Sequence, residues 1–266
     1  MSGTVGLVVQ GALARVTLSH RAKFNAMSCA MWLQLRATFE AIQGDPNLRC
    51  VLVQGQAPAD GGAAHFCAGG DISEYSAFRF EEASLRDFHE NQVWGALQAM
   101  LDCDVPMVAR IEGHCMGAGV EIASCCDLRL ASEAARFGAP IARLGFPMAP
   151  REAALVLRAL GELTAREMLL SAAVLEADEM QRRGFLNRVV PGDALDAETQ
   201  ALTERLLGLA PAAARMHKQA LRALTQAAAA QATADLTATA YHYAPSPEHR
   251  EGILAFVEKR APRFHN

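Results

Sequence analysis

Along the first half of the chain, short β-branched runs alternate with stretches of helical spacing. Residues 5–10 and 13–18 are strand-like and flank Gly11-Ala12, the pattern of a hairpin. Ser28 then stands where a helix cap belongs, and Trp32, Leu35, Phe39 and Ile42 fall on one stripe of a helix reaching Gln43. Gly44 and Pro46 end it. Residues 50–54, 107–111 and 128–131 are apolar runs of the length of buried strands. Strands separated by helical segments predict βαβ units and a mostly parallel sheet, the α/β class.

Beyond about Phe146 the pattern changes, and Ala, Leu, Glu and Arg dominate. Residues 152–160, 164–170, 193–207, 212–228 and 247–259 all carry helical spacing, with the run Ala227 to Ala230 simply good helix. The division expected is a core over 1–195 and a helical C-terminal region over 196–266.

Composition narrows the function more by exclusion than by indication. A chain of 266 residues, 51% hydrophobic, buries a sizeable core. A net charge of −4 with no long basic run argues against nucleic acid. The eight histidines lack ligand spacing, so no metal site is expected. Seven cysteines, an odd number with Cys125 and Cys126 adjacent, read as reduced core thiols. Neither a signal-peptide pattern nor an apolar stretch of spanning length occurs, so the expectation is a soluble, cytoplasmic protein that does not enter a membrane.

Two glycine-rich turns carry the candidate chemistry. The run 107–111 leads through Glu112-Gly113 to Gly117-Ala118-Gly119, where small residues let a ligand approach the backbone. The apolar residues Val120 to Ala123 then begin a buried helix, whose free N-terminal amides suit developing negative charge. Glu121 is an acid among apolar neighbours, on the face of Ala118 and about 4.5 Å along the axis from it. Burial disfavours an ionised carboxylate and so suits it to acid/base work; the plainer role is a helix cap. The second turn, Cys67-Ala68-Gly69-Gly70-Asp71, also precedes a helical segment; alone it reads as an ordinary turn and cap. A dinucleotide fingerprint fails at Ile122, which stands where Gly or Ala is required. Cys67 and Cys115 have no histidine spaced to form a dyad, and packed thiols are expected.

Together with Asn25-Ala26-Met27, Phe137-Gly138-Ala139-Pro140 and the segments 184–191 and 250–260, these motifs resemble the crotonase, or enoyl-CoA hydratase/isomerase, superfamily over nearly the whole chain. The resemblance implies a spiral ββα core with a helical C-terminal region mediating trimer contacts, as a homotrimer or dimer of trimers. It implies an acyl-CoA thioester substrate and no permanently bound cofactor, coenzyme A arriving with the substrate. By position, the two amides that polarise the thioester carbonyl belong to Gly70 and Ala118. Coenzyme A contacts fall on Ala22, Lys23 and Phe24 and on Ala68, Asp71 and Ile72. Ser73 stands where a lysine is frequent, and Lys259 is a candidate contact from the C-terminal helix.

Glu121 matches the first of the two glutamates that hydratases use. At the second position this chain has Ile141, which neither donates nor accepts a proton. The expectation is therefore a hydratase-like enzyme with a single catalytic glutamate. Alternatives are a decarboxylase, an isomerase, a thioester hydrolase or a weakly catalytic acyl-CoA binder. Met148 and the prolines beside it reshape the acyl pocket; Arg143, Arg151 and Glu152 are candidate replacement polar groups, each expected to be an exposed helix residue instead.

Overall fold

In the computed structural model, residues 3–59, 62–226 and 236–263 are described. The expected helix continuing through the alanine run 227–230 lies outside them. Strands β1 (Thr4–Gln10) and β2 (Leu13–Ser19) form the expected antiparallel hairpin. Strands β3 (Cys50–Gly55), β4 (Met107–Ile111), β6 (Leu128–Ser132) and β9 (Arg188–Val190) then continue the sheet in parallel from β2. A smaller sheet joins β5 (His114–Met116), β7 (Arg136–Gly138) and β8 (Val174–Glu176).

Helix α1 (Cys29–Gly44) begins at Ser28, whose side chain accepts from the Met31 amide. Its stripe of Trp32, Leu35, Phe39 and Ile42 is buried, as the spacing predicts. The next helical stretch has no counterpart in the periodicity reading: α2 (Glu82–Asp87) and α3 (Trp94–Asp102) are joined by a π-helical segment, Phe88–Val93. After α4 (Ala118–Cys125), the chain adds α5 (Pro150–Leu160), α6 (Glu162–Leu170) and α7 (Ala177–Arg182). The described C-terminal part is helical: α8 (Leu195–Leu207), α9 (Pro211–Gln226) and α10 (Pro247–Val257). Among the described residues no helix is long and apolar enough to cross a membrane.

The main core lies between the large sheet and α1, α3 and α4, and includes Val51, Val53, Met107, Val120 and Ile122. At about 25 cal/mol per Å² of apolar surface, this burial is the main force holding the layers together. It makes α4 a rigid support for whatever its N-terminus presents.

Candidate functional site

Strand β4 hands the chain to β5, and Gly117, the residue after β5, has φ 45° and ψ −108°, a conformation an L side chain rarely adopts. Helix α4 starts one residue later, so Ala118 is its first residue and the Ala118 N–H has no acceptor within the helix. Gly119 is required for a different reason. A Cβ there would lie 2.7 Å from the Cys67 carbonyl oxygen, so only glycine lets α4 sit against the other turn.

That other turn is stitched in from both sides. The backbones of Cys67 and Cys115 pair in a parallel β-bridge, and the Met116 amide donates to the Cys67 carbonyl at 2.9 Å. Beyond it Met27 pairs with Gly70: the Met27 amide donates to Gly69 O and the Asp71 amide to Met27 O, both at 2.8 Å. A parallel bridge of this kind uses the atoms flanking Gly70 and turns the Gly70 N–H to the opposite side. Gly70 and Ala118 both line one cavity of about 570 Å³.

Glu121, one turn along α4, lines the same cavity and is only 7% exposed. Burial lifts its carboxyl well above the usual carboxylate range, and the neighbouring Glu152 charge adds to the effect while Arg79 opposes it. Cys67 and Cys115 are fully buried, and burial pushes the Cys67 thiol up to about 12, which suits packed thiols.

The expected coenzyme A residues fall mostly at the mouth. Lys23, Phe24, Ala68, Asp71 and Ile72 line the cavity, but Ala22 does not; it sits on an exposed turn. Asp71 caps a 3-10 turn, Ile72–Ala77, rather than an α-helix, and its carboxylate is already engaged. Lys23 Nζ reaches its two oxygens at 2.8 and 2.6 Å, and the Ser73 hydroxyl donates to it at 2.7 Å. Lys259 is exposed past the end of α10, whereas Phe256 of that helix lines the cavity.

The inner wall holds a second carboxyl beside Glu121. Glu152, expected to be an exposed helix residue, is 3% exposed and lines the cavity with Glu121. Burial pushes its carboxyl up to about 8, against the pull of Arg79 and with a push from Glu90. Ile141 lines the wall as an apolar surface. Of the other two candidates, Arg143 sits exposed at the rim and donates to Ala172 O at 3.4 Å. Arg151 turns away, to Glu90 at 3.4 Å and over the Trp94 ring.

Four further residues, Arg79, His89, Tyr243 and His249, escaped the sequence reading. Arg79 is wholly buried between the rings of Tyr75 and Phe146, 4.4 and 4.0 Å from their centroids. Its edges meet His89 Nε2 at 3.2 Å, His249 Nε2 at 3.5 Å and the Tyr243 hydroxyl at 3.3 Å. His89 Nδ1 in turn lies 2.8 Å from Glu152 Oε1. Because a guanidinium only donates, both imidazoles must present an unprotonated Nε2 to it. Each then carries its proton on Nδ1, donating to Glu152 from His89 and to Ala244 O from His249. Burial and the Arg79 charge hold both rings below the ordinary histidine range. A five-residue step from Phe88 to Val93 is the one sequence signal, since a π turn there breaks the helical period around His89.

A two-sheet βα fold with α10 at the edge of a cavity lined by two glycine-rich turns and a buried acid points to the enoyl-CoA hydratase/isomerase class. The chain matches that family over residues 9–266 and belongs to it. Its relatives include the 2,3-dehydroadipyl-CoA hydratase of Escherichia coli, 32% identical across 94% of this chain and 93% of that protein. Among solved structures, an enoyl-CoA hydratase/carnithine racemase from Magnetospirillum magneticum is 33% identical, with a TM-score of 0.80, covering 100% of this chain and 96% of that one. A methylmalonyl-CoA decarboxylase, 23% identical with a TM-score of 0.85 over 99% of this chain and 98% of that one, shares the fold. The protein is accordingly an acyl-CoA enzyme of this family.

Proposed function

We propose that the chain hydrates 2-enoyl-CoA thioesters, with the Gly70 and Ala118 amides forming the oxyanion hole and Glu121 serving as an acid/base group. The observation that carries this reading is the arrangement of Gly70, Ala118 and Glu121 on one cavity wall. A thioester oxygen held by the two amides leaves its α-carbon close to the residue one turn along α4. Donors fixed in a bridge and a helix terminus need no reorganisation as negative charge gathers on that oxygen. The hydratase named among the relatives supports the same reaction type.

Lys23 and Phe24, with Ala68, Asp71 and Ile72, are the proposed coenzyme A contacts at the mouth, and Ile141 a wall of the acyl pocket. Coenzyme A enters with the substrate, and no permanently bound cofactor is invoked. A decarboxylase is the second reading, favoured by the dry face of Ile141, since that reaction needs the hole more than it needs two acids. Steady-state assay with crotonyl-CoA separates the two. Hydration is expected; no hydration, with turnover of a malonyl-type thioester, overturns the first reading.

A homotrimer or dimer of trimers is proposed from the outward faces of α6 and α9. Helix α9 turns its polar side inward: Arg215 donates to Leu48 O, Lys218 to Val105 O, and Arg222 pairs with Asp104. Met216, Leu221 and Leu224 are left 66, 63 and 82% exposed, and Leu163 of α6 is 82% exposed. Apolar surface of this kind is ordinarily covered by a partner. Light scattering on the eluting protein should return three or six chains; a monomer overturns the assembly.

A further inference from the structure

Adding water across an activated double bond asks for two proton transfers at different atoms. A base takes a proton from water as its oxygen attacks the β-carbon, and an acid delivers one to the α-carbon. On the hydration reading Glu121, one turn along α4 from Ala118, serves the α-carbon, which leaves the water side to be assigned.

We propose that Glu152 is the base on water, held for that task by His89 as a positioning residue and by Arg79 behind it. The assignment rests on the hydration reading given above. Glu152 is the third residue of α5, where a glutamate ordinarily reaches back to cap the first amides of its helix. Glu152 does accept a hydrogen bond from the backbone of the N-cap residue Ala149, but that capping bond asks for no histidine. Here the carboxyl is buried on the cavity wall, on an element separate from α4, with an imidazole N–H donating to it at 2.8 Å.

The two acids are held unequally. Glu152 receives a hydrogen bond from His89, whose tautomer Arg79 dictates, and both the bond and the guanidinium charge favour its ionised form. No hydrogen bond from a described residue reaches the carboxyl of Glu121. Burial and the charge of Glu152 raise that carboxyl's pKa and so favour its protonated form. Two buried carboxyls beside one buried guanidinium carry a single proton between them most readily, which leaves the cluster neutral.

The step then balances. Water oxygen forms its bond to the β-carbon while its proton passes to Glu152. The double-bond pair shifts to give an enolate whose negative charge rests on the thioester oxygen between Gly70 N and Ala118 N. Glu121 gives its proton to the α-carbon, the enolate returns to a thioester, and the product is the 3-hydroxyacyl-CoA. The pair ends with the same single proton, now on Glu152, and passes it back to Glu121 before the next turnover.

Taking an α-proton from a saturated thioester needs only the hole and an ionised Glu121, the form reached when the shared proton rests on Glu152, so α-hydrogen exchange of butanoyl-CoA in D₂O separates the two acids. Glu152→Gln keeps an oxygen to accept from His89 and should fold and bind coenzyme A esters like the wild type. It is expected to lower crotonyl-CoA hydration by about 10²–10⁴-fold while leaving exchange near the wild-type rate. Glu121→Gln is expected to lose both. Hydration by Glu152→Gln at the wild-type rate overturns the assignment and leaves the hydratase reading standing. Loss of exchange along with hydration in that variant also overturns it. A wild type that neither hydrates nor exchanges overturns both readings.

The role of His89 has its own readout. Arg79, Glu90 and Glu121, with the Tyr75, Tyr241 and Tyr243 hydroxyls, surround the Glu152 carboxyl electrostatically. His89→Phe leaves all of them in place and removes one donor to the ionised form. The rising limb of the pH–kcat/KM profile should therefore move to higher pH, and an unmoved limb removes His89 from the mechanism.

Discussion

Glu121→Gln should reduce kcat on crotonyl-CoA by about 10²–10⁴-fold while the affinity for a saturated acyl-CoA stays close to that of the wild type. The substitution keeps the shape of the side chain and removes its proton. Since Glu121 is buried among Val120, Ile122 and Ala123, the isosteric amide leaves the packing of α4 intact. The same variant makes a stability prediction of definite sign. The folded-state pKa of Glu121 is raised, so its contribution to folding is fully present below the ordinary carboxylate pKa and is lost as pH rises through the raised value. An amide at this position does not titrate and has no such loss. The variant should therefore melt above the wild type at pH 8, with the gap closing toward pH 4. Normal turnover by Glu121→Gln, or a gap that widens toward acid pH, contradicts the role given to this residue.

Ala118→Pro should cost about 10²–10³-fold in kcat, the usual penalty for deleting one oxyanion donor. Ala118 is the first residue of α4, the one helical position where proline is well accepted because its amide has no partner in the helix. The substitution deletes a single N–H in the cavity wall and leaves Glu121 where it is. Gly117 precedes it without a Cβ, which relieves part of the crowding that proline imposes on the residue before it. If far-ultraviolet circular dichroism and melting match the wild type and kcat is unchanged, the Ala118 amide does not stabilise the enolate. Serine at the same position keeps the amide and should keep most of the activity.

The parts of this protein that could be read from its sequence are those whose causes are local. The stripe on α1 and its Ser28 cap, the hairpin at Gly11-Ala12, and the strands β3, β4 and β6 follow from periodicity and turn chemistry within a few residues. The two glycine turns were legible for the same reason, since close backbone approach leaves its mark in residue size. Strands β5, β7, β8 and β9 were not, because three residues carry no period and exist only by pairing. The helices around residues 82–102 were missed because the π turn at 88–93 interrupts the spacing that announces a helix.

The inner wall of the site belongs to the tertiary structure alone. Arg79, His89 and Glu152 lie far apart in the chain, and two of them are charges that composition assigns to the surface. A charge is buried only when its partners are buried with it, and those partners come from α5, the π turn and the loop leading into α10. No local pattern encodes that balance. The sequence by itself determined the α/β framework, the two amide-bearing turns and Glu121 among apolar neighbours. Folding decided that Glu121 faces a second carboxyl, because bringing distant elements together sets which charges share a cavity.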